Sequence, residues 1–117
     1  MALSDDPLDV ESIARAKRVQ QRRDAAEIRR MRDDLRRVLS SEHGRRVLYR
    51  IVERAGVFRA VFSSDALVMA HNEGRRNEGL MLLADIEEAA PEQWESARRE
   101  IAASRVAIKE DDDDDSE

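Results

Sequence analysis

Residues 38–56 read VLSSEHGRRVLYRIVERAG, and this stretch decides the fold. Ser40 and Ser41 end one helical pattern and cap the next, because a serine hydroxyl accepts from the free N–H groups of a first helical turn. Val47, Leu48, Ile51, Val52 and Ala55 then recur at helical spacing and form a broad apolar stripe. Gly56 stands where a helix end takes up a left-handed residue, which glycine does without steric cost. A capped, amphipathic and terminated helix is legible in this one segment.

Upstream, Ile28, Met31, Leu35 and Val38 follow a 3-4-3 spacing and share a face. Continuing that stripe towards the N-terminus meets Asp24, Gln21, Lys17 and Ala14, which cannot form a buried face. The pattern predicts one long helix, capped by Asp9 or Ser12 and running to about Leu39, of which only the second half packs.

Downstream, Val57, Phe58, Val61 and Phe62 predict an apolar connection folded over the core. Ser63-Ser64-Asp65 is an N-cap cluster, and a third helix is expected from about Asp65 to Glu88. Pro91 suits the first position of a fourth helix, whose stripe is Trp94, Ala97 and Ile101, extended by Ile108. The expected organisation is an acidic start with a basic helical arm over 1–27, a helical body over 28–109 and a disordered acidic tail over 110–117. The fold class is therefore all-α: a small body of three to four helices with a long basic N-terminal helical arm and a disordered acidic C-terminal tail.

Composition supports this. Four glycines and two prolines in 117 residues are too few turn formers for a many-stranded sheet. There is no cysteine, which excludes disulfides, thiolate nucleophiles and thiolate metal sites together. No apolar run reaches the length of a signal peptide or a membrane span. The net charge of -5 hides an uneven distribution: residues 1–14 carry -4, residues 15–37 carry +6, residues 38–109 are neutral and residues 110–117 carry -7.

Nothing in the residues suggests catalysis. His43 and His71 lack neighbours at metal-ligand spacing. The serines are explained as caps, and no glycine-rich phosphate loop follows a strand. No catalytic residue, no metal and no cofactor is expected. Two features point instead to binding. Arg15, Lys17, Arg18, Arg22, Arg23, Arg29 and Arg30 make the first helix a polyanion-binding candidate; its alternatives are a solvated surface or a dock for an acidic protein. In the third helix, Val68, Asn72, Arg75, Gly79, Leu82 and Ile86 share a face, so an Asn and an Arg interrupt an apolar stripe. Buried polar groups need partners, so the stripe is either a polar layer satisfied within the fold or a face turned to another chain. Gly74 and Gly79 permit close backbone approach there.

The stretches Gly44-Arg45-Arg46-Val47-Leu48, Gly56-Val57-Phe58 and Asn72-Glu73-Gly74-Arg75-Arg76-Asn77-Glu78-Gly79-Leu80 resemble small virion-associated structural proteins of tailed bacteriophages and prophages, over about residues 42–100. The resemblance implies a non-enzymatic minor structural or assembly protein of the particle, near the portal or head–tail region. Its expected partners are other virion proteins, as a homo-oligomer or bound to an oligomeric assembly, with no membrane and no small-molecule substrate. The expected location is the virion, and the host cytoplasm during assembly. The expected partner-binding residues are Asn72, Arg75, Arg76, Asn77, Arg45 and Arg46. The alternative is a nucleic-acid-binding accessory protein that uses the Arg-rich arm on DNA during packaging or delivery.

Overall fold

The computed structural model describes residues 9–59 and 63–115. The expectations for residues 1–8, for Val61 and Phe62, and for residues 116–117 lie outside the described residues. Four helices follow one another: α1 Val10–Val38, α2 Glu42–Arg54, α3 Ala66–Ala89 and α4 Pro91–Asp115. No strand occurs among the described residues.

The caps are those the sequence predicts. Asp9 Oδ1 accepts from the N–H groups of Glu11 and Ser12 at 3.1 and 3.3 Å, opening α1. Ser41 accepts from Gly44 N at 3.1 Å and opens α2. Asp65 accepts from Leu67 N and Val68 N and opens α3, and Pro91 is the first residue of α4. Gly56, at φ 86°, takes the left-handed turn that follows α2.

The chain divides into two compact units, one up to Met31 and one from Arg32 onward. In the first, the described residues from Val10 are helical and nearly all exposed. The second holds the core: Leu35, Leu39, Val52, Val57, Ile86, Ala89, Ala90, Trp94 and Ala97, with Leu48, Tyr49, Ala55, Leu82 and Leu83 packed around it. Each helix contributes through positions three or four apart, which is what a packed helical stripe requires. Tyr49 stacks between two rings, with centroids 5.6 Å from Phe58 and 5.5 Å from Trp94.

Four expectations are corrected. Ile28, Met31 and Val38 do not join Leu35 in a buried face; they are exposed by 45%, 38% and 42%. At this end of α1 the described core residues are Leu35 in its last turn and Leu39 just past it, and Val38 lies about 100° around from Leu39. On α2 the predicted stripe is wider than the surface that covers it: Leu48, Val52 and Ala55 pack, while Val47 and Ile51 are exposed by 54% and 46%. On α3 only the second half of the stripe is buried, from Gly79 to Ile86, and Val68 is exposed. The acidic run is helical to Asp115, not disordered. No glycine or proline stands between Pro91 and Glu117, so once Trp94 and Ala97 anchor the helix each further residue adds a backbone hydrogen bond.

Three arginines close the ends of three helices. The last carbonyls of a helix have no partner inside it, and a cation there also opposes the negative end of the helix dipole. Arg45 of α2 donates from Nη1 to the carbonyl of Leu39, at the end of α1, at 2.9 Å. Arg75 of α3 donates to the carbonyl of Arg54, at the end of α2. Arg36 of α1 donates from Nε to the carbonyl of Ala89, at the end of α3, at 2.7 Å. Each helix thus caps one neighbour and is capped by the other, which ties α1, α2 and α3 into a closed cycle.

Candidate functional site

Two grooves line α2. The first, of about 400 Å³, lies between α2 and α3 and is lined by Ile51, Arg54, Ala55, Arg75 and Glu78. Its floor is apolar and its rim charged. Val47, one turn before Ile51 on the same face of α2, extends the exposed apolar surface. Beside the groove, Gly79 lets α3 approach the end of α2 closely. A Cβ at Gly79 would lie 2.6 Å from both Ala55 Cβ and Val57 Cγ2. Gly74 plays no such part, since a Cβ there would meet nothing within 4 Å.

The second groove, of about 420 Å³, lies between α2 and α4 and is polar. Arg46, Arg50 and Arg105 line it with Glu42, Glu100 and Ser104. Its charges are largely satisfied in place. Arg46 pairs with Glu42 at 3.2 Å. Arg45, behind it, grips Glu100 with Nε and Nη2, the latter at 2.8 Å, and these hydrogen bonds raise the Arg45 pKa further. Arg105 binds Glu53 at 2.7 Å and lies 5.8 Å from the centre of the Tyr49 ring. The Arg105 hydrogen bond holds the Glu53 carboxyl below its usual range.

The residues expected to bind a partner therefore divide. Arg45 is engaged inside the fold by Glu100 and Leu39, with its side chain only 17% exposed. Arg75 is exposed but its guanidinium is committed to the Arg54 carbonyl, so the arginine that interrupts the α3 stripe has its partner within the fold. Arg46 and Asn77 are exposed or at the surface, and Asn72 is half-buried. Arg76 is half-buried, and its Nε is buried without a hydrogen-bond partner among the described residues. His43 and His71 are both exposed. Among the described residues no group of His, Cys, Asp or Glu is placed to hold a metal, and no helix is long and apolar enough to cross a membrane.

Sequence reading missed Val47 and Ile51 as surface residues, because periodicity marks a face as apolar without saying what covers it. It also missed Glu100 and Glu53. Their partners Arg45 and Arg105 stand 55 and 52 residues away, and no local spacing connects them.

Residues 35–97 match the family described as Bbp19-like phage protein. The chain belongs to this family. The match begins at Leu35 and ends at Ala97, the first and last buried residues of the core, so the Bbp19-like segment and the packed body coincide. The basic part of α1 before Leu35 and the acidic end of α4 lie outside it. The resemblance to a phage protein family is thereby established. No curated protein and no solved structure matches the chain.

The capping role of Arg75 has a measurable consequence in this Bbp19-like body. Arg75→Ala leaves the Arg54 carbonyl to water and should cost about 0.5–1.5 kcal/mol, the range of a single intramolecular hydrogen bond. Arg75→Lys, which retains one donor and the charge, should recover part of that. Thermal melts of the two variants check this; an Arg75→Ala midpoint equal to the wild type would show that the bond contributes nothing.

Proposed function

We propose that this Bbp19-like chain is a non-enzymatic minor structural or assembly protein of a tailed-phage particle, bound near the portal or head–tail region to other virion proteins. Family membership supports a phage role. The observation that carries the docking part is the Val47–Ile51 pair, two exposed aliphatic side chains beside an apolar groove rimmed by Arg54, Arg75 and Glu78. An apolar patch with a charged rim is the usual anatomy of a protein interface. A body of this size also buries a modest share of its surface, and docking on an oligomeric assembly adds to that. The chain acts in the host cytoplasm during assembly and in the virion afterwards.

Purified particles test the proposal, by mass spectrometry for the chain and by cryo-electron microscopy for its place. The double variant Val47→Glu/Ile51→Glu should keep its thermal midpoint, since both side chains are already exposed, and should be lost from the particle. Absence of the wild-type chain from purified particles would overturn the reading. Incorporation of the double variant at the wild-type level would remove this face as the dock.

A further inference from the structure

The arginines of the body and those of the first unit are used differently. Of the thirteen arginines from Arg32 onward, six (Arg32, Arg36, Arg45, Arg46, Arg98 and Arg105) each meet a carboxylate within 4.0 Å. In the first unit Arg15, Lys17, Arg18, Arg22, Arg23, Arg29 and Arg30 are all exposed, and none makes an ion pair or hydrogen bond among the described residues. Between Arg15 and Arg30 the carboxylates are not missing but turned away. At 100° per residue, the six arginines from Arg15 to Arg30 fall within an arc of about 140°, with Arg15, Arg18, Arg22 and Arg29 inside about 60°. Asp24 and Glu27 lie about 180° and 120° from Arg15, and Asp24 accepts from Gln20 Nε2 at 2.9 Å. Glu11, one turn before Arg15, bounds the arc at its N-terminal end. Lys17 is the one basic residue of this set off the arc, at about 200°.

We propose that this arc of α1 binds the phosphate backbone of nucleic acid, independently of where the body docks. It runs about 22 Å from Arg15 to Arg30, at 1.5 Å per residue. Guanidinium groups suit phosphate because their planar fork bonds two oxygens at once. An acidic protein surface is the other chemical match. A protein interface, however, draws most of its affinity from a few buried aromatic or aliphatic anchors, and this arc offers only Val19 and Ala26. A uniform polyanion needs charge and spacing alone. Binding through phosphates is insensitive to base sequence and steeply weakened by salt.

The test uses the full chain and a fluorescently labelled mixed-sequence DNA duplex, with anisotropy measured across a salt series. The logarithm of affinity should fall with the logarithm of salt at a slope of about 4 to 5, near 0.9 for each phosphate neutralised. Arg15→Ala/Arg18→Ala/Arg22→Ala/Arg29→Ala should lower that slope by about 3.6 and weaken binding at low salt by at least tenfold. Lys17→Ala should leave the slope nearly unchanged. Alanine favours helix, and circular dichroism verifies that the quadruple variant remains helical. The proposal is overturned by any of three results: no DNA binding by the wild type at low salt, an equal slope in the quadruple variant, or tighter wild-type binding to polyglutamate than to DNA at the same ionic strength. The last would assign the arc to an acidic protein.

Discussion

Trp94→Ala should lower the stability of the protein by about 3–5 kcal/mol, the cost of emptying a large aromatic site in a packed core. Trp94 is 4% exposed and stacks on Tyr49, with ring centroids 5.5 Å apart. It sits one turn into α4, within the buried core cluster. The cavity cannot collapse easily, because Tyr49 is itself held by Phe58 on one side and by Arg105 near its ring. A loss of this size is a large part of what a small domain has. Each kcal/mol moves the midpoint of a body this size by about 4–8 °C, so a fall of roughly 20 °C is expected. Trp94→Phe, which refills much of the volume and keeps the stack, should lose less than half as much. Far-ultraviolet circular dichroism follows both melts. A Trp94→Ala midpoint within a few degrees of wild type would mean that α4 does not depend on this anchor.

The second large effect separates two glycines that look alike in the sequence. Both lie inside α3, where Gly costs about 1 kcal/mol relative to Ala. At Gly74 nothing stands within 4 Å of a new Cβ, so Gly74→Ala should stabilise by up to about 1 kcal/mol. At Gly79 a new Cβ would lie 2.6 Å from Ala55 Cβ and from Val57 Cγ2. Ala55 Cβ is fixed to its backbone, so no side-chain rotation there relieves the clash. Overpacking of this kind costs about 1–3 kcal/mol, enough to exceed the helix gain. Gly79→Ala should therefore destabilise by about 1–2 kcal/mol and Gly79→Val by more. Denaturant titrations on the two alanine variants give the signs directly. A stabilising Gly79→Ala would show that α2 and α3 do not meet as closely as the structure has them.

These glycines also show why the functional surfaces were only partly legible. Gly74 and Gly79 share a sequence context, and a preference for close approach was attributed to both; contact with Ala55 and Val57 singles out Gly79. Arg75 interrupts an apolar stripe that the sequence leaves open either to an internal partner or to another chain, and Arg45 belongs to a stretch whose partner role only the resemblance implies. Their acceptors are carbonyls at the ends of α1 and α2, and a backbone carbonyl carries no side-chain signature to be found. Periodicity puts Val47 and Ile51 inside, and the packing leaves them outside.

The basic face of α1 stood out from composition alone, since ten bases fall among the twenty-three residues 15–37. Which arginines remain unpaired required the coordinates.

What the sequence determined by itself was local: the four helices, their starts at Asp9, Ser41, Asp65 and Pro91, and the left-handed turn at Gly56. Caps, propensity and φ preferences act between residues within four positions of each other, so a single chain reading reaches them. The tertiary structure decided the rest: that Leu35 and Leu39, and not Val38, are buried at the end of α1, that Arg45, Arg75 and Arg36 close the helices in a cycle, and that Val47 and Ile51 stay at the surface. Those outcomes depend on which face of one helix reaches which face of another. Burial and pairing are properties of that meeting, because an apolar side chain leaves water only where another element covers it.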